Sequence, residues 1–350
     1  MKILDTTIRD GSYAIDFKFS SKDVYDLVTR SEKIGLEYIE IGHGLGLNAS
    51  SEKHGYSLQT DIEYMKTARA AASNAKLGFF CIPGIARLED IEIAKSHGMD
   101  FIRVGVNIGE YEKAFPYIEY SRKVMGEGIG TFVNFMKTYT TTCEEFASAA
   151  KCVYEHGAEC VYIVDSAGCM GEDEIGQYID AVRHYCADVK LGFHGHNNLG
   201  LAIENTYYCV TKDIDFIDCS YQGLGRSLGN ASLEQMIMVL EKRGYKTGFD
   251  IPRVLEYGYA GLRNIVRGDL INPLDYVCGY AGFHSSFIKD IYKCSTEYNV
   301  DPLRLIIAYS KINKSSMDYD VLCSVAQTLP KDSEDNPYGF AEYFSEIYNQ

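Results

Sequence analysis

The chain has 350 residues, and 46% of them are hydrophobic, enough for one large core and an additional lobe. Its formal net charge of −15 argues against nucleic acid and anionic membrane, since both require a basic face. No apolar run approaches the ~18 residues of a membrane span, the opening MKILDTTIRD has no signal-peptide character, and eleven cysteines without a C-x-x-C pair read as reduced thiols of a cytoplasmic protein.

Short apolar or β-branched runs alternate with longer amphipathic segments. In chain order the expected strands are Ile3–Thr7, Tyr38–Ile41, Leu77–Ile82, Phe101–Gly105, Gly130–Phe135, Cys160–Val164, Leu191–Phe193 and Phe216–Cys219. Helical patterns fall between them at Lys22–Ile34, Asp61–Ala72, Leu88–Ser96, Glu144–Glu155, Glu172–Tyr185 and Leu201–Thr211. Ser20 or Ser21 and Thr142 suit two helix starts, and Gly35, Gly98 and Gly157 follow three helices where a C-terminal glycine is expected. The pattern is uneven over residues 106–128. Strands separated by helices in this way predict an α/β fold, a TIM (β/α)8 barrel over residues 1–250. Residues 251–350 read as a mostly helical lobe covering the barrel mouth, with an acidic tail at Asp332, Glu334 and Asp335.

The chemistry-bearing residues cluster at strand ends. His194 and His196 follow the apolar run Leu191–Phe193 with one glycine between them. Alternate residues of a strand share a face, so both imidazoles project the same way at the strand's C-terminal end. In a TIM barrel that end is the active-site face. Asp10, just past the first strand, completes a two-histidine, one-carboxylate set suited to a divalent cation. Glu40 ends the second strand, where a buried carboxylate needs a partner, and Arg9 is the obvious one. His43 reads either as a supporting donor or as a loop histidine. Asp165-Ser166-Ala167-Gly168 reads either as pocket lining or as a strand-to-helix turn. Gly223–Ala231 has the wrong place and spacing for a dinucleotide loop and suits a glycine-rich lid.

Asp5-Thr6-Thr7-Ile8-Arg9-Asp10-Gly11 resembles the opening motif of the DRE-TIM metallolyases, whose name-giving residues map onto Asp10, Arg9 and Glu40. His194-Gly195-His196-Asn197-Asn198 and Gly229-Asn230-Ala231 fit the same superfamily. Within it the chain looks most like the 4-hydroxy-2-oxovalerate aldolases, through Glu40-Ile41-Gly42-His43-Gly44, Val161–Gly168 and Gly279-Tyr280-Ala281-Gly282. The resemblance implies a metal-dependent aldolase that splits or joins pyruvate and an aldehyde. Its metal, Mn²⁺ or Mg²⁺, would be held by Asp10, His194, His196 and Asn230, with Arg9 against the developing oxyanion. Ser166 and His43 would line the substrate pocket.

One departure stands out. Tyr13 occupies the place of a histidine that serves as base in these aldolases, and His284 matches a tyrosine of the C-terminal region. Histidine is the better base near neutral pH. The exchange either preserves acid–base function with mirrored placement or marks a different aldehyde or reaction. The resemblance also implies an aldehyde dehydrogenase partner docked on the C-terminal region, or a homo-oligomer. Two other functions remain open: a Claisen-type condensation of an acyl-CoA with a 2-oxo acid, and a non-catalytic partner-binding barrel.

Overall fold

The computed structural model describes residues 1–126, 128, 130–266, 270–314 and 316–331. Eight parallel strands close into a barrel in sequence order: β1 (Lys2–Asp5), β2 (Tyr38–Ile41), β3 (Lys76–Cys81), β4 (Phe101–Asn107), β5 (Thr131–Met136), β6 (Cys160–Asp165), β7 (Lys190–Gly195) and β8 (Phe216–Cys219). Closure is direct, with Lys2 in register with Phe216 and Asp5 with Cys219. All eight expected strands are present. β1 stops at Asp5 because the Asp5 carboxylate accepts the Thr7 N–H at 2.8 Å and turns the chain. β7 runs two residues further than expected, so His194 and Gly195 lie within it.

The six expected helices are α1 (Ser21–Lys33), α2 (Asp61–Ala71), α3 (Leu88–Ser96), α5 (Cys143–Glu155), α6 (Glu172–Tyr185) and α7 (Ala202–Thr211). Ser20 and Thr142 cap α1 and α5, each in a reciprocal pair with the acid three residues on. The uneven stretch holds a 3₁₀ segment, Ile108–Ala114, and then α4 (Phe115–Met125). The aromatic and β-branched residues of α4 make it a poor helix by propensity, and packing decides the matter. α8 (Leu233–Lys242) follows the last strand.

The described residues divide into two compact units, one within residues 1–236 with 265–266 and the other within residues 237–264 with 270–331. The expected boundary was residue 250. The second unit is helical, as expected: α9 (Ile251–Leu262), α10 (Pro273–Ala281), α11 (Ile288–Tyr298), α12 (Pro302–Ser310) and α13 (Tyr319–Thr328). The acidic residues Asp332, Glu334 and Asp335 lie outside the described residues. No helix among the described residues is long and apolar enough to cross a membrane.

The barrel interior is layered. Toward the N-terminal strand ends, Tyr38, Phe101, Phe132, Tyr162 and Phe216 form an aromatic plug with Leu4, Cys160 and Val164. The Phe132 ring lies 5.2 Å from Phe101 and 5.1 Å from Phe216, centroid to centroid. Two residues on along three of these strands, the same face carries charge: Glu40 after Tyr38, Arg103 after Phe101, and Asp218 after Phe216. The plug is therefore the floor on which the site stands.

Candidate active site

Asp10, His194 and His196 converge at the C-terminal end of the barrel, their potential ligand atoms all within 4.8 Å of one another. All three are buried. Each histidine is anchored through Nδ1. His194 Nδ1–H donates to Asp218 Oδ2 at 2.8 Å, and His196 Nδ1–H faces the Gly229 carbonyl at 3.3 Å. That fixes the tautomer and leaves both Nε2 atoms for a cation, the usual arrangement behind metal-binding histidines. Burial, then the nearby His194, pushes the His196 pKa down to about 4, so this imidazole is neutral and ready to ligate.

The Asp10 carboxylate accepts Arg9 Nη1 at 2.6 Å, Asn230 Nδ2 at 2.9 Å and the Arg226 N–H at 3.3 Å. A carboxylate has roughly four acceptor positions, so one remains for a metal. Burial alone would raise the Asp10 pKa. The charge of Arg9, the two histidines and the Asn230 bond outweigh it and hold the carboxyl well below the usual range.

The glycine-rich loop between β8 and α8 brings Asn230 in. Its residues return to pair with the end of β7, Asn230 opposite His196. Gly229 makes this turn possible: its φ is +88°, and a Cβ would lie 2.2 Å from the Gly223 carbonyl oxygen. Asn230 spends its amide nitrogen on Asp10 and on the Leu224 carbonyl. Its Oδ1 is buried without a partner, and a flipped amide would set oxygen against the Asp10 carboxylate. An unspent acceptor beside two unspent imidazole nitrogens is what a cation site requires, so these residues fit a divalent metal.

The site rests on a buried ion network that sequence reasoning caught only in part. Arg9 Nε donates to Glu40 Oε2 at 2.6 Å, the pairing expected for that carboxylate. The other members, Arg103 and Asp218, were missed. Arg103, fully buried on β4, donates to both Glu40 oxygens and to Asp218 Oδ2, each within 2.8 Å. Asp218 in turn holds His194. The path Asp10–Arg9–Glu40–Arg103–Asp218–His194 thus joins one metal candidate to another through hydrogen-bonded charges. Leaving the histidines aside, two guanidiniums face three carboxylates, a formal −1 that a bound dication would overcompensate. The available signal was a single charge in each of two otherwise apolar strands.

Arg9 keeps one buried donor, Nη2, without a partner. Tyr13 packs above this end of the barrel, and a Cβ on Gly44 would lie 2.4 Å from its ring. Burial, against the opposing field of Arg9, raises the Tyr13 pKa, so the phenol is neutral. His43 has both ring nitrogens engaged by backbone: Nδ1 accepts the Leu45 N–H at 3.0 Å, and Nε2 lies 3.2 Å from the Gly55 oxygen. It stacks on Phe17, which contacts Tyr13 edge-on. The Ser166 hydroxyl accepts the Lys137 N–H at 2.9 Å, and Asp165 accepts the N–H groups of Cys169 and Met170. That segment therefore closes the β6–α6 turn. His284 belongs to the second unit, where it is exposed and its Nδ1 bonds Ser286 Oγ at 2.9 Å.

Comparisons with known proteins bear on the family and the fold. The 4-hydroxy-2-oxovalerate aldolase of Carboxydothermus hydrogenoformans is 30% identical over 332 residues, covering 95% of this chain and 98% of the relative. The oxaloacetate decarboxylase of Mycobacterium tuberculosis is 35% identical over 290 residues, covering 83% and 84%. Among solved structures, the HMG-CoA lyase of Brucella melitensis superposes with a TM-score of 0.64 at 22% identity, over 75% of this chain and 98% of that one, which bears on the fold. The HMGL-like family model matches residues 1–258, and the chain belongs to the HMGL-like family.

Proposed function

We propose that this barrel is a divalent-metal-dependent aldolase that cleaves or forms a 4-hydroxy-2-oxo acid, with pyruvate as one product or reactant. The observation that carries the reading is the convergence of Asp10, His194 and His196 beside an arginine with a donor to spare. Asn230 is the further candidate ligand, and Mn²⁺ or Mg²⁺ suits the mixed oxygen and imidazole set. A bound dication would polarise the 2-oxo group and ease cleavage of the neighbouring C–C bond.

The chain's own residues do the rest. Arg9 Nη2 is the donor placed for negative charge gathering on the keto oxygen. Glu40 does not meet substrate: both its oxygens are spent on Arg9 and Arg103, and it fixes the angle of the Arg9 guanidinium. Asp218 and Gly229 hold the two imidazoles at the required tautomer. Tyr13, neutral and partly exposed, is the hydroxyl placed for the substrate's 4-hydroxyl. His43 supports Phe17 under Tyr13, and Ser166 sets the loop after β5. The residue exchange seen in the sequence assigns the base to His284. His284→Ala then lowers kcat for pyruvate release, and unchanged turnover withdraws that role.

The relatives named as aldolase and as decarboxylase share one chemical requirement under this reading. Both break a bond beside a 2-oxo acid and leave electrons on the carbon next to the keto group. A screen for pyruvate release from 4-hydroxy-2-oxo acids, with and without Mn²⁺, tests the proposal. Consumption of acetyl-CoA with no pyruvate release would instead favour a Claisen-type condensation.

A further inference from the structure

Several cations near the barrel mouth are engaged. Arg9 and Arg103 lie inside the ion network. Arg87 pairs with Asp90, and the Lys18 ammonium bonds the Tyr56 carbonyl. Lys113 pairs with Glu110. Arg226 differs. It lies on the glycine-rich loop, four residues before Asn230, and is exposed. Its backbone N–H donates to Asp10 Oδ2, which ties it to the metal cluster. Its guanidinium carbon stands 5.5 Å from the centroid of the Tyr13 ring. No carboxylate among the described residues pairs with that guanidinium.

These facts describe a placed charge with nothing to neutralise it. The loop anchors its backbone on Asp10, and the Tyr13 face steadies its side chain. Under the aldolase reading, a cation held by Asp10, His194 and His196 would take the carboxylate beside the 2-oxo group, and Arg9 Nη2 the keto oxygen. A second cation beside Tyr13 therefore awaits a second anion. One guanidinium matches one carboxylate in a two-point fork. A phosphate dianion more commonly gathers several donors.

We infer that the substrate carries a second carboxylate at the end away from its 2-oxo acid, and that Arg226 is the residue that reads it. This rests on the aldolase reading of the same site. The substrate is then a 4-hydroxy-2-oxo dicarboxylate. The bond between C3 and C4 breaks, and its electron pair stays on C3, which takes up a proton to become the methyl group of pyruvate. The 4-hydroxyl loses its proton and becomes the carbonyl of the departing fragment, an oxo acid.

The test uses two unreactive ligands that differ only at the far end. Calorimetric titration of the Mn²⁺-loaded protein compares 2-oxoglutarate, ending in carboxylate, with 2-oxopentanoate, ending in methyl. A charge-assisted hydrogen-bonded pair should favour the dicarboxylate by roughly tenfold to a hundredfold. Arg226→Gln should bring the two ligands to equal affinity, and Arg226→Lys should keep part of the gap. Equal affinities in the unaltered protein, or a gap that survives Arg226→Gln, overturn the inference. Pyruvate release measured on the same preparations separates the two claims. A binding gap without cleavage removes the aldolase reading and leaves the second-anion site standing. Cleavage without a gap does the reverse.

Discussion

The two halves of the barrel interior use the same strands for opposite purposes. Tyr38, Phe101 and Phe216 fill the lower half, and two residues further on Glu40, Arg103 and Asp218 fill the upper half. Alternation along a strand puts each pair on one face, so only height along the barrel separates ring from charge. The rings gain from leaving water. The charges lose by it and are held by one another. The lower half stabilises the fold, and the upper half uses that stability to keep unspent polar atoms in place around a cation.

The largest effect expected on stability comes from emptying the plug. Phe132→Ala should cost about 3–5 kcal/mol, read from chemical denaturation, while the surviving folded fraction keeps its turnover per molecule. A parallel loss of turnover would show that the halves are not separable. Arg9→Ala should do the reverse, lowering kcat by roughly 10²–10³-fold as removal of an oxyanion donor does. Near-normal kcat in that variant would take Arg9 out of the chemistry. A milder break is Asp218→Asn, which leaves His194 a neutral acceptor. Metal affinity should fall by about 10–100-fold in a Mn²⁺ titration.

The smallest effect concerns the loop that carries Asn230. Glu234, at the start of α8, accepts the Gln222 N–H and the Ser232 hydroxyl, both at 2.9 Å, and so pins both ends of that loop. Burial raises its pKa from 4.5 to about 7. The folded protein thus holds this proton more tightly than the unfolded chain. The resulting stability is fully present below about pH 4.5 and is lost as pH rises through 7. Glu234→Gln should flatten that portion of the melting temperature's pH dependence. An unchanged slope between pH 5 and 8 would show that Glu234 ionises freely.

Much of this was legible in one dimension. Eight short apolar runs separated by helical patterns specify the barrel, and His194-Gly195-His196 after a strand specifies a shared face. The ion network was not legible, because Arg103 and Asp218 are 115 residues apart and only closure of the barrel makes them neighbours. Nor was α4, whose Phe115-Pro116-Tyr117 opening has little helical preference of its own. His43 illustrates a different limit. Its sequence neighbourhood allowed a role in the site, but its two nitrogens are engaged by Leu45 and Gly55 of its own loop.

The central claim is that Asp10, His194 and His196 act together on one cation that turnover requires. The direct measurement is pyruvate release from a 4-hydroxy-2-oxo acid by protein stripped of metal, then resupplied with Mn²⁺, alongside His194→Ala treated in the same way. The account predicts turnover that vanishes on stripping, returns with Mn²⁺, and stays at least roughly 10³-fold lower in the folded variant, as losing a Lewis acid worth several kcal/mol requires. Turnover that persists in the stripped protein, or that Mn²⁺ restores equally in His194→Ala, would contradict it.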